Sequence, residues 1–148
     1  MPSIFDAARQ EELVGRVAQL TPETPARWGK FTATKMLTHV NDALRMALAD
    51  LPVKPRKTPF KNAVMRYLVI RWLPWPKGVP TAPELLARCE TGQFDVEKKL
   101  FGELVARVGS RKDHTEWPEH PAFGPMSRAD WGALGYRHVH HHFTQFGI

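Results

Sequence analysis

The chain has 148 residues, 43% of them hydrophobic and 24% charged, with five Trp and eight Phe. That is the size and composition of one folded domain spanning 1–148, which excludes a disordered or low-complexity chain. Its 21 Lys and Arg against 15 Asp and Glu give a net charge of +6, which favours anionic partners without naming one.

Proline sets the boundaries of the elements, because a helix-interior proline costs about 3 kcal/mol. The thirteen prolines leave five proline-free stretches, 3–21, 26–51, 60–73, 84–117 and 126–148, each of helix length. The first opens with Ser3 and Asp6 in a capping-box order and carries Ile4, Ala7, Ala8, Leu13, Val14, Val17 and Leu20 at helical spacing. The second places Met36, Leu37, Val40, Ala43, Leu44, Ala47 and Leu48 on one stripe and predicts a helix from about Thr32 to Ala49. The third, short and apolar, predicts a small helix inside a long crossover. In the fourth, Phe94, Phe101, Leu104, Val105 and Val108 share a face between a break near Gly92 and a loop starting around Gly109. The fifth starts with Ser127 and Asp130, again in capping-box order, and runs through Trp131, Leu134, His138, His142 and Phe146. Nothing alternates with the period of a strand, so the expected fold is all-α: an up-and-down four-helix bundle whose crossover carries a short extra helix.

A lone Cys89 cannot form an intramolecular disulfide, and MPSIFDAARQEEL lacks a basic-then-apolar leader pattern, so a cytoplasmic location is expected. The most apolar run, NAVMRYLVIRWLPW, is broken by Arg66, Arg71 and Pro74, so no membrane span is expected.

Four of the seven histidines lie in the last predicted helix. At 100 degrees per residue, His138 and His142 fall one turn apart on the face of Trp131 and Phe146, while His140 points to the opposite face and His141 to a flank. Imidazoles at i and i+4 form a two-ligand metal platform, one short of the three protein ligands of most catalytic sites. Val139 follows His138 where a zincin helix requires glutamate, which excludes that protease class. His39, inside the best-patterned helix, is the candidate third ligand. Its place at the edge of the apolar stripe equally suits a half-buried histidine bonded to backbone. Asp42 is either the hydrogen-bond partner of a ligating histidine or a solvated surface carboxylate. Cys89 reads as packing, and His114 and His120 as solvated loop residues. The segment HPAFG reads as a turn into the last helix, anchored by Phe123.

Taken together, Trp28-Gly29-Lys30, Met36-Leu37-Thr38-His39-Val40, His120-Pro121-Ala122-Phe123-Gly124, Trp131, and the terminal His138, His141, His142, Gln145, Phe146, Gly147 and Ile148 resemble the DinB/YfiT-like superfamily of metal-dependent enzymes, within it the subfamily called DUF1569. The resemblance implies a four-helix bundle in which His39, His138 and His142 bind a divalent metal. Zinc and nickel suit imidazole best, with iron and manganese as further options. An open three-histidine site suits activation of water or a thiol on a small-molecule substrate, and the superfamily implies a hydrolase or a transferase using an anionic low-molecular-weight thiol. A homodimer would be in keeping with such a bundle. The rival is a non-catalytic anion- or nucleic-acid-binding module built on the basic segment 54–77, where Lys54, Arg56, Lys57, Lys61, Arg66, Arg71 and Lys77 interleave with Tyr67, Trp72 and Trp75. That segment has no recognition helix, which weighs against nucleic acid.

Overall fold

A computed structural model describes residues 1–148 as an all-helical chain with five α-helices and no strands. They are α1 (Ala7–Ala18), α2 (Ala33–Ala47), α3 (Ala63–Arg71), α4 (Phe94–Ser110) and α5 (Arg128–Phe146). Short 3-10 turns at Pro59–Lys61 and Pro83–Leu85 punctuate the crossover. No helix is long and apolar enough to cross a membrane.

The helix ends follow local chemistry. Thr32 caps α2 by accepting from the backbone of Lys35, and Ser127 and Asp130 cap α5 with a complete reciprocal box. The box expected at Ser3 and Asp6 does not cap α1. Its two side chains instead close a tight turn ahead of the helix, Asp6 accepting from Ser3 N at 3.2 Å and Ser3 Oγ from Phe5 N at 3.2 Å. The reason is position: Asp6 is itself the residue that precedes the first helical turn. At the far end of α2, Ala49 adopts φ +62°, and the Asp50 N–H returns to the Arg45 carbonyl, a left-handed stop made without glycine.

The main core joins the stripes read from sequence. Leu13 and Val17 of α1 meet Met36, Leu37, Val40 and Leu44 of α2, Phe101, Leu104, Val105 and Val108 of α4, and Val139, Phe143 and Phe146 of α5. Phe101 and Phe143 are both fully buried, with ring centroids 5.3 Å apart. Each buried side chain of this size contributes about 1.5–3 kcal/mol. α2 lies against both α4 and α5, α1 against the same two, and α3 packs on α5 and on the Pro59–Lys61 turn. The N-terminal segment closes over α5, where Ile4 N donates to Gly132 O at 3.0 Å and the Phe5 ring lies so near Gly132 that a Cβ there would meet it at 2.7 Å. This arrangement leaves α2 and α5 adjacent, with the crossover folded across one side of the pair.

Candidate metal centre

His39 on α2 and His138 and His142 on α5 converge, and one ring nitrogen from each lies within 4.8 Å of the other two. His39, at the edge of the apolar stripe of α2, is nevertheless buried at 3% exposure and bonded to backbone. The cause is α5: its histidine face packs on His39, with ring centroids 5.0 Å away for His138 and 4.8 Å for His142. Phe31 closes the cluster from the loop before α2, 5.4 Å from His39 and 6.0 Å from His142.

Hydrogen bonds fix which nitrogen is free in two of the three rings. His39 Nδ1 faces the Leu85 carbonyl at 3.2 Å; a carbonyl only accepts, so the proton sits on Nδ1 and the Nε2 lone pair points inward. Gln145 Nε2 donates to the Trp28 carbonyl at 2.7 Å, which leaves its Oε1 to accept from His142 Nδ1 at 2.9 Å. That assigns the free lone pair of His142 to Nε2 as well. Gln145 is in turn held by a close approach: Gly29 has φ +80°, and a Cβ there would meet Gln145 Nε2 at 2.6 Å. The Trp28-Gly29-Lys30 turn thus needs glycine both for its backbone conformation and for room.

Electrostatics keep all three rings neutral. Burial pushes His138 well below the ordinary imidazole value, helped by the neighbouring imidazoles. Burial, then His39, pushes His142 down to about 3. His39 is lowered by burial as well, against the opposing pull of its Leu85 bond. His39 Nε2 and His138 Nε2 face each other at 3.1 Å, so the pair needs either a proton or a cation between them. Two nitrogens bound to one cation at about 2.1 Å can lie that far apart, whereas the three-nitrogen set spans up to 4.8 Å and would have to draw in slightly to share one ion. The donor set therefore fits a divalent metal: three neutral imidazoles, two with their outer nitrogens already satisfied.

The remaining histidines separate cleanly. His140 lies away from the cluster, 2.8 Å from Arg16 and stacked on Tyr136. His141 flanks it, edge-on to His142 at 5.3 Å and against Trp28 and Trp75. His114 is exposed, as expected. His120 is not solvated. Its ring sits between Phe123 and Trp131, with centroids 4.9 and 5.4 Å away, and its Nδ1 accepts from the backbone of Ala122 at 3.1 Å and Phe123 at 3.3 Å. The HPAFG turn bends back on its own first residue, closed by paired bonds between His120 and Gly124.

Asp42 is neither a partner of His39 nor a surface group. It is fully buried and bonded to Arg45 at 2.9 Å and Arg88 at 3.0 Å, while the Leu85 carbonyl takes the role offered to it. Cys89 is buried, and burial followed by Asp42 raises its thiol, so it packs and does not act as a thiolate.

A cavity of about 1300 Å³ opens onto the three histidines. Its walls are mostly apolar and come from the crossover as much as from the helices, with Phe60, Val69 and Trp75 facing His138 and Trp131 across it. Trp75 is fixed by its indole N–H on the Val69 carbonyl at 2.8 Å and by Arg137 over its ring. The basic segment is thus in large part a wall. Arg71 and Arg66 share the single carboxylate of Asp130 at 2.5 and 3.8 Å, whereas Tyr67 and Trp72 stay exposed.

The His120 environment has a consequence for acid stability. Burial drops its pKa to about 4, against about 6.5 in an unfolded chain, so the unfolded state binds the extra proton. Its contribution is complete above pH 6.5 and is lost as pH falls towards 4, at about 1.4 kcal/mol per pH unit. Urea unfolding of His120→Asn should show a shallower fall between pH 6.5 and 5 than the parent. Parallel curves would show that His120 titrates normally.

An all-helical chain with a three-imidazole cluster at the floor of an apolar cavity defines a class: helical proteins with a candidate open metal centre. The chain belongs to the DUF1569 family, whose model, described as a protein of unknown function, matches residues 5–147. No curated protein and no solved structure matches it.

Proposed function

We propose that the protein is a divalent-metal-dependent enzyme of the DinB-like superfamily, its four long helices α1, α2, α4 and α5 forming an up-and-down bundle in one domain over 1–148. The observation that carries this is the convergence of His39, His138 and His142, all neutral, at the floor of the cavity. His39, His138 and His142 would hold the ion, zinc or nickel in preference to iron or manganese. When bound, the ion supplies Lewis acidity to activate a water or a thiol or to polarise a carbonyl. The protein's own part is to hold the lone pairs inward through Leu85 and Gln145 and to exclude bulk water with Phe31, Trp28 and Trp75. Three histidines leave room for a small-molecule ligand, and the site has no fourth protein ligand of the kind that closes structural zinc sites. This favours a hydrolase or a transferase using an anionic low-molecular-weight thiol.

Cobalt(II) loading separates these two chemistries. Visible absorption of four- or five-coordinate cobalt is expected in the parent protein. Addition of glutathione or cysteine should then produce an intense thiolate-to-cobalt band in the near ultraviolet if the enzyme uses thiols. No such band directs the reading to hydrolysis, and no cobalt spectrum at all contradicts the metal centre. The anion-binding alternative loses support from Asp130, which engages two of the cations it needs.

A further inference from the structure

Two hydrogen-bond donors in the cavity have no protein acceptor. His120 accepts two backbone N–H groups at Nδ1, so its ring proton is on Nε2, and no protein atom bonds that nitrogen. Trp131, only 4% exposed, has a buried indole Nε1–H with no partner either. An unpaired buried donor costs about 1–3 kcal/mol, which falls on the Trp131 indole, while the unbonded His120 Nε2–H is not fully enclosed; the two rings lie 5.4 Å apart on the wall of one cavity. Trp131 precedes His138 by seven residues on the same face of α5, about 10 Å along the helix from the triad. The charged residues of the cavity lining are Lys30, Arg56 and Lys57; no Asp or Glu lines it. Arg56 and Lys57 make no ion pair, and the Arg56 backbone is tied to Pro121, the residue after His120, at 2.9 Å.

We infer that His120 and Trp131 form a subsite for an oxygen acceptor, and that the substrate is a largely apolar molecule carrying a carboxylate, which the two N–H groups and the nearby cations receive while its apolar body extends towards the triad. The inference rests on the metal-centre reading for treating the cavity as a substrate chamber. His120 is suited to this role because it donates without charge. A neutral imidazole of fixed tautomer needs no proton from solution to bind the oxygen, so the subsite works at neutral pH.

The test is calorimetric titration of the metal-loaded protein with octanoate and with octylamine, which share an apolar chain and differ in head group. Saturable octanoate binding is expected at millimolar concentrations or below, with octylamine at least about tenfold weaker. His120→Asn keeps an acceptor for the Ala122 and Phe123 N–H groups and removes the inward donor; Trp131→Phe keeps an aromatic ring and removes the other. Each should weaken octanoate about five- to tenfold with metal content and helical spectrum unchanged. Absence of saturable octanoate binding, or equal binding of octylamine, overturns the inference. Octanoate binding abolished by His142→Ala but untouched by the two donor variants also overturns it, because the carboxylate then sits on the metal, and that result upholds the metal centre. Conversely, His120-dependent binding by protein with no affinity for any metal leaves the subsite standing and removes the metal centre.

Discussion

Replacement of His142 by alanine is expected to lower zinc affinity by at least about a hundredfold, measured by competition with a chromophoric chelator, while the helical spectrum stays intact. Loss of an outer-shell partner alone typically costs 10–100-fold, and His142 is proposed as a ligand itself. The ring contributes one of only three lone pairs within 4.8 Å of one another, and no other His, Cys, Asp or Glu joins that cluster to replace it. Gln145→Leu should act through His142 by freeing its ring, with a loss of about tenfold. His140→Ala should change nothing, since that ring is bound to Arg16 and Tyr136 away from the cluster. Unchanged affinity in His142→Ala, or an equal loss in His140→Ala, would mean that the wrong face of α5 holds the metal.

The second large effect concerns stability. Asn41, Asp42 and Glu97 are buried at 0%, 0% and 2% exposure between α2 and α4, a dense polar group for a core. Asn41 Nδ2 donates to the Glu97 carboxylate at 2.7 Å and to its carbonyl at 2.9 Å. Arg88 reaches in from the segment before α4 and bonds both acids, Asp42 at 3.0 Å and Glu97 at 3.2 Å. Arg88→Met keeps most of the side chain's apolar bulk and leaves two buried carboxylates short of a partner. Breaking a buried pair from one side costs about 3–5 kcal/mol, and the retained bonds from Arg45 and Asn41 together with the 38% exposure of the Arg88 side chain bring this case down to about 2 kcal/mol. Urea unfolding at neutral pH checks it, and a loss below about 1 kcal/mol would show that Arg88 acts as an ordinary surface ion pair. A functional effect should accompany the loss. Arg88 follows Leu85 by three residues, so it anchors the segment whose carbonyl orients His39.

The parts legible in the sequence are those set by short-range periodicity. The apolar stripes of α2, α4 and α5 turn inward as the 3.6-residue repeat requires, and the i, i+4 spacing of His138 and His142 puts both on one face without further information. The pairing with His39, 99 residues away from His138, was open on spacing alone and rested on family resemblance. The readings that the structure changed depended on contacts with no signature in the local pattern. Asp42 read as either a partner of a ligating histidine or a surface acid because Arg88, 46 residues on, gives no local sign of reaching it. His120 looked solvated because a loop rich in Pro and charge conceals a turn whose N–H groups aim at its own imidazole. The roles of Gln145 and Gly29 depend on a turn and a helix end 116 residues apart in sequence. Trp75 read as one more aromatic in a basic stretch; only the folding of the crossover over α5 makes it a wall of the cavity.

Whether His39, His138 and His142 hold a metal is decided by inductively coupled plasma mass spectrometry of untagged protein purified with neither added metal nor chelator, beside its His39→Ala variant. About one divalent ion per chain is expected in the parent and little in the variant. No stoichiometric ion in either, even after incubation with zinc, nickel, iron and manganese salts, would contradict a metal centre at these residues.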